Sequence, residues 1–211
     1  MSLLVVNLGL PKSGTTTLAR ALRAAGLRVA DYRVRWKQAP DPALRGKYVG
    51  DLLYRGYFET GDPGAAFKDF DAISETSVIR HGKSLWPQTD AALIRALRTY
   101  HPHLRFLASR RDSFEMSQSM LAWSDLGTSR LPENGVPGLP AGYGETTRER
   151  MQWIDGHYTT LRHMFSGSAM YLEYDTSDPE APRKVGDFLG LDLPWWGKAN
   201  VNQISTWKEA V

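Results

Sequence analysis

The sequence predicts a three-layer α/β protein, with a mostly parallel central sheet flanked by helices. Short apolar runs that suit buried strands alternate along the chain with longer segments whose apolar residues recur at helical spacing. This alternation favours parallel pairing, because parallel neighbours need a crossover connection that is usually a helix. The 211 residues, 42% of them apolar and 23% charged, suit one globular domain spanning residues 1–211.

Five segments have the length and composition of buried strands. The first is an apolar run that ends at Gly9, and the others are bounded by turn or helix signals. The strands are expected at residues 3–8, 27–32, 70–75, 104–109 and 169–174.

Six segments show helical spacing. In the first of them Leu18, Leu22 and Ala25 share one face, and Gly26 follows as a residue typical of a helix end. Asp112 is placed to cap a later helix, and Gly190 to end the last one. The helices are expected at residues 15–25, 42–58, 90–100, 113–123, 145–165 and 182–189.

Residues 127–144 interrupt this alternation. The segment holds five glycines and three prolines, and it is longer than most connections in compact domains. Long loops of this kind are binding loops, lids or disordered segments. Two alternatives are therefore open, a lid over the second substrate and a disordered segment.

Charge is distributed unevenly along the chain. The net charge is only +3, but residues 1–55 contain ten Lys or Arg and three Asp, a net charge of +7. A basic segment of this kind indicates an anionic partner. Because the chain as a whole is only mildly basic, nucleic acid is not the expected partner.

Several classes of protein are excluded by composition. The absence of cysteine excludes a disulfide scaffold, a thiolate metal site and a cysteine nucleophile. No apolar run reaches the length of a membrane span, and the first residues lack the basic start of a secretion signal. We therefore expect a cytoplasmic protein without a membrane span, and no metal cluster.

Residues 8–17, between the first strand and the first helix, have the composition of a phosphate-binding loop. Backbone N–H groups at such a junction converge on an anion, and the helix dipole adds positive potential. An ATP-type loop has lysine directly after its second glycine, but here Thr15 follows Gly14 and the lysine is Lys12. The candidate anion-binding residues are Pro11, Lys12, Ser13, Gly14, Thr15, Thr16 and Thr17.

The order P-K-S-G-T-T in this loop resembles the 5′-phosphosulfate loop of sulfotransferases that use 3′-phosphoadenosine 5′-phosphosulfate (PAPS). The resemblance implies a fold like that of P-loop NTPases, PAPS as co-substrate and no metal requirement. It also implies that Lys12 contacts the phosphosulfate and stabilises charge on its bridging oxygen.

A second motif of that family is an arginine at the end of a later strand, followed eight positions on by a serine. Both residues hold the 3′-phosphate of PAPS. Counting from Arg111 reaches Ser119, whereas counting from Arg110 reaches Gln118, so Arg111 is the better match. Near the C-terminus, Lys198 falls where the family closes a loop over the same phosphate.

Sulfuryl transfer also needs a general base for the acceptor. The resemblance implies a histidine or glutamate after a central strand. Glu75 stands at the end of the strand predicted over 70–75, and His81 follows six residues later with the more suitable ordinary pKa. Position favours Glu75, and Asp71 is a third candidate.

The leading interpretation is thus a PAPS-dependent sulfotransferase acting on a hydroxyl or amine of a carbohydrate or small molecule. The alternatives are an ATP-dependent P-loop kinase of a small metabolite and a non-catalytic nucleotide-binding protein. The sequence specifies neither the acceptor nor the oligomeric state.

Overall fold

Seven short strands form in the computed structural model, which describes residues 3–39, 41–80, 82–197 and 199. They are β1 (Val5–Asn7), β2 (Val29–Asp31), β3 (Ala72–Glu75), β4 (Val78–Arg80), β5 (Lys83–Leu85), β6 (Arg105–Arg110) and β7 (Tyr171–Asp175). Five of these strands make the central sheet in the order β2-β3-β1-β6-β7, and all four of its pairings are parallel. The remaining two, β4 and β5, pair as an antiparallel hairpin.

In the described part of the chain, seven α-helices accompany the strands. They are α1 (Thr15–Ala24), α2 (Val49–Thr60), α3 (Ala91–Tyr100), α4 (Ser113–Leu121), α5 (Leu131–Glu133), α6 (Thr147–Met164) and α7 (Ala181–Leu189). The predicted caps are confirmed, since Asp112 accepts from the first N–H groups of α4 and Gly190 ends α7 in the left-handed conformation. Within the described residues, no helix is both long and apolar enough to cross a membrane.

Successive strand residues face opposite sides of the sheet, and both sides are buried. Val5 and Leu107 pack with α1 and α7 in one apolar cluster, whereas Val6 and Phe106 pack with α2, α3, α4 and α6 in another. Burial on both faces explains why the strands are continuous apolar runs in the sequence. The predicted three-layer α/β architecture with a parallel central sheet is confirmed.

The connections that follow β1 and β6 leave the sheet in opposite directions. The chain after β1 runs through α1 to β2 at one edge, whereas the chain after β6 runs through α4, α5 and α6 to β7 at the other. Adjacent parallel strands with diverging connections leave a crevice at their carboxyl ends, which is where open α/β sheets bind ligands. This topology therefore predicts a ligand-binding crevice between the ends of β1 and β6.

All five predicted strands and five of the six predicted helices occur with ends within two residues of those expected. The single helix predicted over residues 42–58 is wrong. A 3₁₀ turn at Pro42–Leu44 is separated from α2 by Gly46, whose φ of 75° interrupts the helical path. The following residues pair with the end of β2 instead, through a bridge between Arg33 and Tyr48.

The β4–β5 hairpin has no counterpart among the predicted elements. Val78 pairs with Leu85, and Arg80 with Lys83, across a turn at Gly82. The hairpin follows the end of β3 directly, so it lies beside the carboxyl edge of the sheet. It adds a wall there that the alternation of strands and helices did not predict.

Residues 127–144 are packed against the rest of the fold. Within them α5 follows a π-helical turn at Leu126–Arg130, and Leu131, Val136 and Leu139 are buried. The indole N–H of Trp153 on α6 donates to the carbonyl of Pro137 at 2.9 Å. Of the two sequence-based alternatives, the structure does not bear out disorder, and the lid stays a prediction.

Candidate functional site

The residues predicted to bind and transfer the anion follow three neighbouring strands. The phosphate loop, residues 8–14, leaves β1; Glu75 ends β3; and Arg111 follows β6. Parallel strands bring their carboxyl ends to one edge of the sheet, so these segments meet beside the crevice between β1 and β6.

Two glycines determine the conformation of the phosphate loop. A Cβ at Gly9 would lie 2.5 Å from the carbonyl oxygen of Ser109, so only glycine lets β1 approach β6 this closely. Gly14 has a φ of 105° and precedes α1 without a side-chain cap. The first N–H groups of α1 therefore face the loop with no capping side chain, an arrangement that favours an anion.

Lys12 stands at a strained position in the loop. Its φ of 71° is left-handed, a conformation that is uncommon for a residue other than glycine and that concentrates at functional sites. Its Nζ atom lies 3.8 Å from the centroid of the Trp123 ring, a cation–π contact. Burial and the positive charge of Arg111 lower the pKa of Lys12 to about 8.

A buried asparagine ties the loop to the sheet. Asn7 donates from Nδ2 to the Ser74 carbonyl at 2.9 Å and to the Ser109 hydroxyl at 3.0 Å. Its Oδ1 accepts from the N–H groups of Gly9, at 3.3 Å, and Ser109, at 3.0 Å. One side chain thus joins β1 to both neighbouring strands at the base of the loop. This role of Asn7 is not predictable from the sequence pattern.

Two residues of α6 hold the loop from the other side. His157 contacts the Leu8 carbonyl through Nε2 at 2.8 Å, and Tyr158 donates to the Ser109 carbonyl at 2.7 Å. Burial lowers the pKa of His157 to about 4, so its ring is neutral at pH 7. Because a carbonyl oxygen only accepts, Nε2 carries the proton. The Leu10 N–H reaches the Tyr158 hydroxyl at 3.4 Å.

Ser13 shapes the loop from inside. Its side chain is fully buried, with Oγ 2.7 Å from the hydroxyl of Ser109, and its N–H donates to the Leu10 carbonyl. Pro11 is half-buried. Ser13 therefore fixes the course of the chain around Lys12. Its hydroxyl points into the protein interior and hydrogen-bonds there with Ser109.

The three threonines that open α1 point in different directions. Thr15 is buried, and its hydroxyl lies close enough to the carboxyl group of Glu75 to influence its pKa. Thr17 donates to the Gly197 carbonyl at 3.0 Å and accepts from the Ala199 N–H at 3.4 Å. Thr16, between them, is half-buried.

The contacts of Thr17 bring the segment around residue 198 to the start of α1. This is the neighbourhood expected for Lys198, but Lys198 itself lies outside the described residues. His81, the alternative base, also lies outside them.

Arg111 lies at the β6 side of the site. Its charge acts on Lys12, and its Nη2 atom is 2.8 Å from a carboxylate oxygen of Glu115 on the first turn of α4. Arg110 points elsewhere, pairing with Glu173 of β7 at 2.9 Å. The structure thus places Arg111, and not Arg110, next to the phosphate loop. Ser119 is half-buried further along α4.

Glu75 lies on the opposite side of the loop from Arg111, since β3 and β6 flank β1. Its carboxylate accepts from the Ser77 N–H at 3.0 Å and from the Ser77 hydroxyl at 2.5 Å. Burial outweighs these hydrogen bonds and raises the pKa of Glu75 to about 7. A carboxyl group with that pKa exchanges a proton readily near neutral pH, as a general base must.

Other candidates are placed away from the site. Asp71 precedes β3, so it lies at the amino edge of the sheet, where it binds Arg28. Among the described residues, no group of three or more His, Asp or Glu side chains is arranged to hold a metal ion.

No protein-family model matches this chain, and no curated protein matches it either. Function is therefore inferred from the fold, from the geometry of the site and from the motif resemblance.

Proposed function

We propose that this protein is a sulfotransferase, which moves the sulfuryl group of PAPS to a hydroxyl or amine of a carbohydrate or small-molecule acceptor. The observation that carries the proposal is the position of Lys12. It lies inside the phosphate loop, in a left-handed conformation, with Arg111 beyond it on one side and a buried carboxyl group with a pKa of about 7 on the other.

Donor binding uses the crevice between β1 and β6. The uncapped start of α1 favours a phosphate group, and Thr16 is the most accessible of the four hydroxyl side chains between Ser13 and Thr17. Arg111 suits the 3′-phosphate, because its planar guanidinium group donates two parallel hydrogen bonds to one oxyanion. Glu115, its present partner, is more than half exposed, and such exchangeable surface pairs contribute little stability.

Transfer is an in-line displacement dominated by positioning and charge stabilisation, as in phosphoryl transfer. A bond forms between the acceptor oxygen and sulfur while the bond from sulfur to the bridging oxygen breaks. The acceptor proton passes to the carboxylate of Glu75, and Lys12 neutralises the charge that develops on the leaving 5′-phosphate. The products are the sulfated acceptor and 3′-phosphoadenosine 5′-phosphate (PAP).

The position after Gly14 disfavours the ATP-dependent kinase alternative. In an ATP-type loop a lysine stands there and reaches the β- and γ-phosphates. Here Thr15 occupies that position and is buried. The cation of this loop is Lys12, three residues earlier.

Nucleotide binding tests the proposal directly. Thermal unfolding is followed with PAP in magnesium-free buffer, with Mg-ATP, and with adenosine 5′-monophosphate as the matched nucleotide without a 3′-phosphate. A ligand at one hundred times its Kd stabilises the folded state by about 2.7 kcal/mol, so PAP is expected to raise the unfolding temperature clearly. Stabilisation by Mg-ATP and none by PAP would refute the sulfotransferase and favour the kinase. Acceptors are then sought by mass spectrometry, as products heavier by one sulfuryl group.

A further inference from the structure

Two tyrosines and two arginines gather on the side of Glu75 that faces away from Arg111. Tyr32 follows β2 directly, and its backbone N–H donates to the carbonyl of Glu75 at 3.0 Å. We call Tyr32, Arg33, Tyr48 and Arg80 the tyrosine–arginine cluster. They come from three elements, namely the end of β2, the start of α2 and the β4–β5 hairpin.

Contacts within the cluster hold its two tyrosines in place. The rings of Tyr32 and Tyr48 meet edge to face with centroids 5.3 Å apart. Tyr32 has a φ of 57°, a left-handed conformation that a bulky residue adopts only where its surroundings enforce it. The bridge between residues 33 and 48 supplies that restraint.

Aromatic and hydroxyl contacts hold Arg33 in place. The guanidinium carbon of Arg33 lies 4.4 Å from the centroid of the Tyr48 ring, and its Nη2 donates to the Tyr48 hydroxyl at 2.6 Å. Arg80 is exposed at the end of β4, and the charges of both arginines act on the hydroxyl of Tyr32.

Two acids close to the cluster along the chain have other cationic partners. Asp31 pairs with Arg23 and Arg35, and Asp51 pairs with Lys83 at 2.6 Å. In the part of the chain that the structure describes, neither arginine of the cluster joins an ion pair. The cluster is thus a site of uncompensated positive charge beside the proposed base.

The geometry points to an acceptor that carries an oxyanion, a carboxylate or a sulfate, which binds to the arginines of this cluster. Guanidinium groups bind both anions through paired hydrogen bonds, and the half-buried tyrosine rings offer an apolar face to a sugar or aromatic ring. The inference rests on the proposed function, since it names the substrate class of the same site. It makes the acceptor an acidic hydroxyl compound, such as a uronic acid or a sulfated sugar.

Calorimetric titration tests this preference without requiring turnover. The probes are p-nitrophenyl β-D-glucuronide, the 6-sulfate of p-nitrophenyl β-D-glucoside and the neutral glucoside itself, added to the protein with and without PAP. At least one acidic probe is expected to bind about tenfold more tightly than the neutral one, the ratio that one charge-assisted hydrogen bond provides.

Variants locate the preference within the chain. Arg33→Gln and Arg80→Gln are each expected to reduce it severalfold, and the double variant to abolish it, with PAP binding unchanged. Arg55→Gln, at an exposed arginine on α2 outside the cluster, is the matched control and is expected to keep it.

The outcomes separate this inference from the proposed function. If PAP binds but the three probes bind equally, or none binds, or the double variant keeps the preference, the inference is overturned and the sulfotransferase proposal stands. If PAP does not bind, the proposed function fails, and the role of the cluster as an acceptor site fails with it.

Discussion

Replacing Glu75 with glutamine tests whether a carboxyl group at the end of β3 titrates near neutral pH. Glutamine keeps the size of the side chain and an oxygen that accepts from the two donors of Ser77, but it cannot titrate. Burial raises the pKa of Glu75 from 4.5 to about 7. The substitution therefore removes one proton-binding group from the folded state.

Proton binding determines whether the free energy of unfolding rises or falls with pH. Between pH 4.5 and about 7 the folded protein holds a proton on Glu75 that the unfolded chain has released, so the free energy of unfolding falls as pH rises through this window. The full loss, about 3 kcal/mol, is reached above pH 7. It is a large fraction of the stability of a typical domain.

His157 acts in the opposite direction. Its pKa falls from 6.5 to about 4 on folding, so the unfolded chain binds the extra proton between these values. The free energy of unfolding consequently rises with pH there, again by about 3 kcal/mol. In the wild-type protein these two contributions nearly cancel between about pH 4.5 and 6.5. In Glu75→Gln the contribution of Glu75 is gone, and only that of His157 remains.

The free energy of unfolding of the wild type and of Glu75→Gln is measured by urea unfolding at several pH values between 4.5 and 8. Glu75→Gln is expected to gain about 3 kcal/mol relative to wild type from the lowest to the highest pH, while the exposed-site control Glu59→Gln gains little. Any change in hydrogen bonding to Ser77 adds an offset that does not depend on pH. A difference between wild type and Glu75→Gln that stays constant across this range would refute a buried, protonated Glu75.

Four further predictions concern the site. Lys12→Ala is expected to abolish sulfuryl transfer in a PAPS assay while circular dichroism shows a retained fold. In the wild type, kcat/KM is expected to rise with pH through about 7 as Glu75 loses its proton and to fall above about 8 as Lys12 does; a flat profile would contradict both roles. Arg111→Ala is expected to weaken PAP binding by about tenfold or more in calorimetry, the loss of one charge-assisted contact. Gly9→Ala is expected to destabilise the fold by about 3 kcal/mol in urea unfolding, because its methyl group would overlap the Ser109 carbonyl.

The elements of the fold that could be predicted are those encoded locally. The strands of a fully buried parallel sheet are apolar on both faces, so they stand out as runs, and the helices between them show a single apolar face. The helix predicted over 42–58 failed because Leu52, Leu53 and Tyr57 belong to a real helix, whose periodicity does not reveal where it starts. That start depends on Gly46 and on the pairing of Tyr48 with Arg33, which is a tertiary contact.

The residues of the site also fall into two groups, those that belong to a local motif and those whose roles depend on distant contacts. Lys12 and Arg111 could be named because each belongs to a motif with fixed spacing inside a strand–loop–helix unit. Asn7 and Tyr158 could not, because their roles depend on contacts with Ser109, 102 and 49 residues away along the chain. The role of His157 could not be predicted either, because its partner is the carbonyl of Leu8, 149 residues away.

The order of the strands relates the proposed chemical roles to one another. An in-line displacement requires the nucleophile and the leaving group on opposite sides of the transferred group. Along the carboxyl edge of the sheet, β6 is followed by Arg111, β1 by Lys12, β3 ends in Glu75, and β2 is followed by the tyrosine–arginine cluster. The proposed roles therefore run in one direction: nucleotide recognition, leaving-group stabilisation, proton acceptance and acceptor recognition. Under this assignment the sulfuryl group moves from the β1–β6 crevice towards β3, which is the direction in which Glu75 can take the acceptor proton.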